Sequence, residues 1–332
     1  MRAWQVTHAG PIESHPLHLA DVPIPHPGPG QVLLRVRVCG VCHTDLHVAE
    51  GDLIPPSYPV TPGHQVVAEV AALGEGVHNL QLGQRVGVPW LHWACGECEF
   101  CRRGEENLCP SARFTGLHVP GGFAEWLVAA ADFVLPLPTS LNDIEVAPLL
   151  CAGIIGYRSL RKADVHPGER LGLFGFGASA HLVLQVARFW GCDVYVFTRS
   201  EAHRQHALEL GATWAGRAED TPPHPLDRAI TFAPVGDIIP VALAKLRPGG
   251  TLAINAVHLT PIPRLDYGLI YGERTLRSVA NATRQDGLEF LHLATQIPIH
   301  PTVTIYPFEA LNQALDDLKH SRLNGQAVLQ VG

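Results

Sequence analysis

Apolar and polar positions change rhythm along the chain. Through residues 1–150, valine and leucine gather in short runs, VLLRVRVCGV (32–41), VVAEVAALG (66–74) and QRVGVPW (84–90), between Gly, Pro and Asn breaks. Such runs between turn residues predict strands, and their density predicts a small barrel or sandwich. From about 151 to 285 the pattern alternates. RLGLFGF (170–176) reads as a strand and precedes a helix at about 179–190, where Leu182, Val183, Val186, Ala187 and Trp190 make one apolar face. The alternation continues through DVYVFT (193–198), EAHRQHALELG (201–211), DRAITFAP (227–234), IIPVALAKL (238–246) and GTLAINAV (250–257). Successive βαβ units imply a parallel sheet with helices on both faces. The remainder, 286–332, predicts a short helix near 308–320 and a last strand, QAVLQV, free to pack back on the first domain.

Composition narrows the class. At 332 residues, 46% apolar and 17% charged, the chain can bury two cores and is not globally disordered. Its 32 glycines and 28 prolines follow no period, which excludes collagen-like and low-complexity readings. With 24 basic against 31 acidic residues the net charge is −7, and no basic run is present, so nucleic acid is not expected as a partner. No apolar stretch reaches the ~20 residues of a membrane span. The opening MRAWQVTHAGPIESH lacks the apolar core of a signal peptide, so the expected address is the cytoplasm. In that compartment the eight cysteines are thiols or metal ligands before they are disulfides.

Three motifs carry chemistry. Cys95, Cys98, Cys101 and Cys109 are spaced to surround one Zn²⁺ tetrahedrally, leaving no open position. Such a site is structural: it ties down HWACGECEFCRRGEENLCP, a segment with little apolar content. A redox pair or a disulfide does not account for four spaced thiols, and an iron–sulfur cluster is the remaining alternative. The second constellation is dispersed: Cys39 and Cys42 with His43, Thr44, Asp45 and His47, then His64 and Gln65, then Cys151. Thiolate and imidazole suit an open zinc site, but spacing does not choose between Cys39 and Cys42, and a lone Cys151 is more often a small core residue. The third is the turn Gly175, Phe176, Gly177, Ala178, Ser179, Ala180, which follows a strand and opens a helix. That context fits dinucleotide binding, with helix amides facing the pyrophosphate. At the end of the next strand, Thr198, Arg199 and Ser200 stand where an Asp or Glu would hold an NAD ribose. A hydroxyl residue followed by Arg suits a 2′-phosphate instead, which favours NADP over NAD.

These motifs in this order resemble the medium-chain zinc-dependent alcohol dehydrogenase family. The resemblance spans nearly the whole chain, through CGVCHTDLH (39–47), PGH (62–64), the four-cysteine lobe, GGFAEW (121–126), LLCAG (149–153) and the Gly-rich turn. It implies a GroES-like β-rich catalytic domain (1–150, completed by about 286–332) with an inserted Rossmann domain (151–285), a doubly wound parallel sheet. It also implies two zinc ions per chain and a homodimer or homotetramer. Carried over by position, the catalytic zinc ligands are Cys42, His64 and Cys151, with Cys39 left out. Thr44 meets the substrate oxygen, His47 passes the proton toward solvent, Asp45 orients the zinc-binding histidine, and His43 lies beside the cofactor pyrophosphate. The implied reaction moves a hydride between a primary or secondary alcohol and NADP(H) or NAD(H), with zinc polarising the substrate oxygen. The alternative is a member that binds NADP and zinc without catalysis, as a structural or redox-sensing protein; a zinc-containing nucleic-acid module is remote.

Three departures from the family pattern stand out. Gln65 replaces the usual Glu beside the zinc-binding His, Ala180 replaces the last loop glycine, and Gln326 stands where an Arg often reaches the pyrophosphate. Cofactor binding is then either weaker or reliant on Arg284 in its place. Trp90, Trp93, Phe114 and residues near 258–275 are candidate pocket walls, though each is more often plain core.

Overall fold

In the computed structural model, which describes residues 1–332, the strand Gln31–Val41 organises the first unit. It pairs antiparallel with Gln65–Leu73, Trp126–Ala130 and Gln326–Gln330. The sheet runs in the order Val303–Pro307, Gln326–Gln330, Gln31–Val41, Gln65–Leu73, Arg85–Val88, Leu135–Pro136. The last strand therefore joins the first domain: Leu329 faces Cys39 and Val328 faces Gly40 in the ladder. Val32, Leu34, Val36, Val66, Ala68 and Val86 are buried beneath it. Helix Leu311–Lys319 adds Leu311, Ala314, Leu315 and Leu318 to the same core, a spacing of three and four that puts all four on one face.

Two helices of this unit leave no apolar stripe in the sequence. His43–Glu50 begins with a reciprocal cap, in which the Asp45 carboxylate accepts from the Cys42 N–H and the Cys42 side chain accepts from the Asp45 N–H. Arg284–Leu293 begins with the same arrangement between Thr283 and Asp286. The unit comprises Met1–Ile154, Asn281–Gln296 and Pro301–Gly332.

The second unit, Ile155–Ala280 with Ile297–His300, is built on a six-stranded sheet in which every pairing is parallel. Its order is Trp214–Gly216, Asp193–Phe197, Arg170–Phe174, Leu226–Thr231, Leu246–Ile254, Thr275–Ser278. Helices Ala178–Phe189, Glu201–Glu209 and Ile238–Lys245 connect consecutive strands. Both edge strands are short, and the sequence pattern did not mark them. Successive strands depart to opposite sides of Arg170–Phe174, so its C-terminal end is a topological switch point, where open α/β sheets bind ligands. No helix is long and apolar enough to cross a membrane.

Candidate active site

Cys42 lies just off the end of the long strand, at the cap of helix His43–Glu50. His64 follows a sharp turn at Gly63, whose φ of +98° is a glycine conformation; a side chain there would also strike the Phe123 amide. That turn is strapped to the GGF segment, since Gly121 N–H donates to Thr61 O, Gly122 N–H to Gly63 O and Phe123 N–H to Pro62 O. Cys151 arrives after the 3-10 turn Ala147–Leu150. Their ligand atoms all lie within 4.8 Å of one another.

Which cysteine joins His64, left open by spacing, is decided here. Cys39 belongs to the strand, is fully buried, and points its thiol at the Gly40 carbonyl. Burial pushes that thiol well above the usual range, as in an inert core cysteine.

The cluster suits a cation. His64 is completely buried, and its Nδ1 donates to Asp45 Oδ1 at 3.0 Å. Nε2 is thereby left toward the thiols with no hydrogen-bond partner, a costly state for a buried polar atom unless something binds it. Burial opposes charge on the ring, but the Asp45 carboxylate and the Cys42 thiol outweigh it and lift His64 to about 10. A hydrogen bond from Cys151 holds Cys42 well below the ordinary thiol range, against the cost of burial; that same bond, with burial, pushes Cys151 well above it. Two sulfurs and an imidazole that crowd their protons in this way are a donor set for a thiophilic dication.

Thr44 and His47 lie three residues apart on one helix face. The Thr44 hydroxyl is 3.8 Å from Cys42 Sγ. His47 Nδ1 donates to Asp52 Oδ2 at 2.8 Å, since a carboxylate only accepts. Asp52 was not singled out in the sequence, where nothing but its distance from His47 marks it. His43, first in the helix, is exposed.

An aromatic wall adjoins the cluster. The half-buried Trp90 ring stacks on Phe114 with centroids 5.0 Å apart and planes at 11°, and meets His64 edge-on at 4.9 Å. Trp93 is instead at the surface, 39% exposed. Gln65 is buried with both amide atoms unpaired, while Gln326 donates to Val41 O and keeps Oε1 unpaired. Neither brings a charge to the site.

The four lobe cysteines also converge. The sulfurs of Cys95 and Cys101 are 3.9 Å apart and those of Cys95 and Cys109 3.6 Å. A tetrahedron with ~2.3 Å metal–sulfur bonds has edges of roughly 3.8 Å, so the cage is already the size of a zinc site. Backbone N–H groups of Cys95, Cys98 and Cys101 point at the sulfurs of Cys109, Cys95 and Cys98. The lobe has only Leu91, Ala94, Cys109 and Phe133 as buried core.

Arg284 is engaged by groups of its own unit. Its guanidinium forks onto Glu106, donates to Asp132 O and lies over the Phe133 ring at 4.3 Å. Those partners hold it against the four-cysteine lobe.

In the second unit Gly175 adopts φ +91° and its backbone runs close to the Ala233 amide. A Cβ on Gly177 would meet nothing within 4 Å, so open space lies before the first amides of helix Ala178–Phe189. Ala180 is fully buried, and its small side chain preserves close packing of helix on sheet. Beyond the neighbouring strand, Ser200 caps helix Glu201–Glu209 and Arg204 is occupied by Thr198 O, Arg199 O and Glu201. Arg199 stands exposed.

Residues 28–139 match the alcohol dehydrogenase GroES-like domain family and residues 180–296 the zinc-binding dehydrogenase family. A probable alcohol dehydrogenase of Mycobacterium tuberculosis is 48% identical over 100% of this chain and 97% of its own length. A cinnamyl alcohol dehydrogenase structure from Sorghum bicolor superimposes with a TM-score of 0.92 at 30% identity, covering 99% of this chain and 97% of that one. CAD from Helicobacter pylori, complexed with NADP(H), gives 0.88 at 25% identity over 100% and 99% of the two chains. Fold and motifs place the protein among the zinc-binding dehydrogenases. The chain belongs to the medium-chain zinc-dependent alcohol dehydrogenase family.

Proposed function

We propose that this enzyme interconverts small apolar alcohols and their aldehydes or ketones by hydride transfer with NADP(H), holding catalytic zinc at Cys42, His64 and Cys151 and structural zinc in the four-cysteine lobe. The observation that carries the reading is the buried, unpartnered Nε2 of His64 beside two thiols. When bound, the metal supplies a Lewis acid for the substrate oxygen and the dinucleotide supplies or accepts the hydride.

The chain's own residues manage position and protons. In oxidation, Thr44 accepts the substrate hydroxyl proton and releases its own toward His47, whose ring Asp52 orients through Nδ1. In reduction the proton travels back. The Trp90 and Phe114 rings line an apolar wall for the substrate carbon chain and keep water from His64.

For the cofactor, the amides at the start of helix Ala178–Phe189 take the pyrophosphate, and Arg199 between Thr198 and Ser200 takes the ribose 2′-phosphate. Association of two chains is proposed through the edge strand Thr275–Ser278, beside which Tyr267 and Tyr271 are 72% and 69% exposed.

Initial rates with NADPH and NADH against a panel of aliphatic and aromatic aldehydes test the reading. Higher kcat/KM with NADPH is expected. A preference for NADH overturns the role of Arg199 and leaves the reaction standing. No turnover with either, in protein carrying two zinc ions, overturns the reaction itself and returns the non-catalytic alternative.

A further inference from the structure

Trp90 is held by three different contacts. Its face stacks on Phe114, its ring meets that of His64 in a T-shaped contact, and its indole Nε1–H donates to Asn281 Oδ1 at 3.1 Å. The first two do not determine where the ring sits. Offset stacking resists tilting, but its energy changes slowly as one ring slides over the other, and the edge-on contact sets only a limit of approach. A hydrogen bond is directional, and this one lies in the plane of the indole. It is therefore the contact that fixes the in-plane position of Trp90, and with it the gap beside His64.

Asn281 is built to hold that position. Its φ is +51°, in the left-handed region that few residues other than Gly, Asn and Asp occupy readily. Immediately after it the chain is locked: Thr283 and Asp286 exchange hydrogen bonds at the helix start, and Arg284 forks onto Glu106. The Asn281 carbonyl is thus presented from a rigid mount.

We infer that Asn281 is a positioning residue that sets substrate-size selectivity by pinning the Trp90 ring against His64. The inference rests on the proposed role of Trp90 as a wall of the alcohol site. With the pin removed, the ring slides along Phe114 and the wall recedes. Small aliphatic substrates then lose contact and bulky ones gain room, while the Asp45 hydrogen bond that orients His64 stays in place.

The test uses full-length, zinc-loaded enzyme. Asn281→Gly tolerates the left-handed backbone and removes only the acceptor; Asn281→Asp restores an acceptor. The expected result for Asn281→Gly is a ratio of kcat/KM for a bulky aromatic aldehyde over a short aliphatic one that rises about 3- to 10-fold, the worth of one neutral hydrogen bond. The change should come mainly through KM, with Asn281→Asp close to wild type. Trp90→Phe keeps the stack and loses the donor, and it should shift the ratio in the same direction without a further shift on adding Asn281→Gly.

A second readout needs no turnover. In protein labelled with ¹⁵N-tryptophan, the six indole N–H signals are few enough to assign by substitution, and that of Trp90 should exchange slowly in wild type and Asn281→Asp but fast in Asn281→Gly. Additive effects in the double variant, an unchanged ratio in Asn281→Gly, or a failed Asp rescue overturns the inference. If wild type shows a protected Trp90 signal and no turnover, the proposed reaction fails instead.

Discussion

One oxygen of Asp45 accepts both the Gly63 backbone N–H and the His64 Nδ1–H, each at 3.0 Å. A single buried carboxylate thus sets the turn before the histidine and the tautomer of the histidine. Its second oxygen accepts from the Cys42 N–H, so two of the three proposed zinc ligands are oriented from one side chain.

Asp45→Asn keeps the shape and removes the charge. Loss of such a partner typically weakens metal affinity ~10- to 100-fold. Timed release to a chelator should show one zinc leaving faster while the other keeps its wild-type rate. Equal acceleration of both would contradict the assignment.

Thr44→Ala deletes the hydroxyl beside Cys42 and should lower kcat by about 10²- to 10⁴-fold, the usual worth of positioned proton transfer. Thr44→Ser should recover most of it. Zinc content measured on each variant guards against trivial metal loss, and a Thr44→Ala enzyme that keeps most of its rate removes Thr44 from the proton path.

Arg284→Ala distinguishes a lobe anchor from a cofactor ligand. Losing the forked pair with Glu106 and the stack on Phe133 should cost about 1–3 kcal/mol of stability. NADPH affinity, read by protein fluorescence, should stay within experimental scatter. A weakened cofactor with unchanged melting would restore the role suggested by the sequence.

His181 makes the nucleotide unit acid-sensitive. It is 1% exposed, and burial lowers its pKa from 6.5 to about 4. As pH falls from 6.5 toward 4, the unfolded chain takes up the proton that the folded one refuses, so stability declines across that window. The stabilisation is fully present above 6.5, and roughly 3 kcal/mol of it is gone by pH 4 at 1.36 kcal/mol per unit. His181→Gln should flatten this limb of a denaturation series taken from pH 7 to 4; an unchanged slope refutes it.

The alternation of strand and helix through the nucleotide unit was legible because its central strands are buried on both faces and read as continuous apolar runs. The edge strands Trp214–Gly216 and Thr275–Ser278 were not, since half-exposed three- and four-residue strands carry too few positions for a period. Helix His43–Glu50 was hidden for a related reason. Its buried side chains include Thr44 and Asp45, so chemistry interrupts the apolar stripe. Helix Arg284–Leu293 does carry a local signal, the Thr283–Asp286 cap.

By itself the sequence determined what depends on neighbours along the chain: four closely spaced cysteines and a Gly-rich turn between strand and helix. Tertiary structure decided what depends on residues meeting from afar. Cys42 rather than Cys39 faces His64 because the strand turns one thiol into the core and ends before the other. Arg284 serves the lobe because Glu106 and Phe133 lie within its reach, and Asn281 acquires a role only where Trp90 meets it. Local spacing is written in covalent geometry, but which side chains share a site is settled by how the sheet and its crossovers pack, and no short window of sequence contains that information.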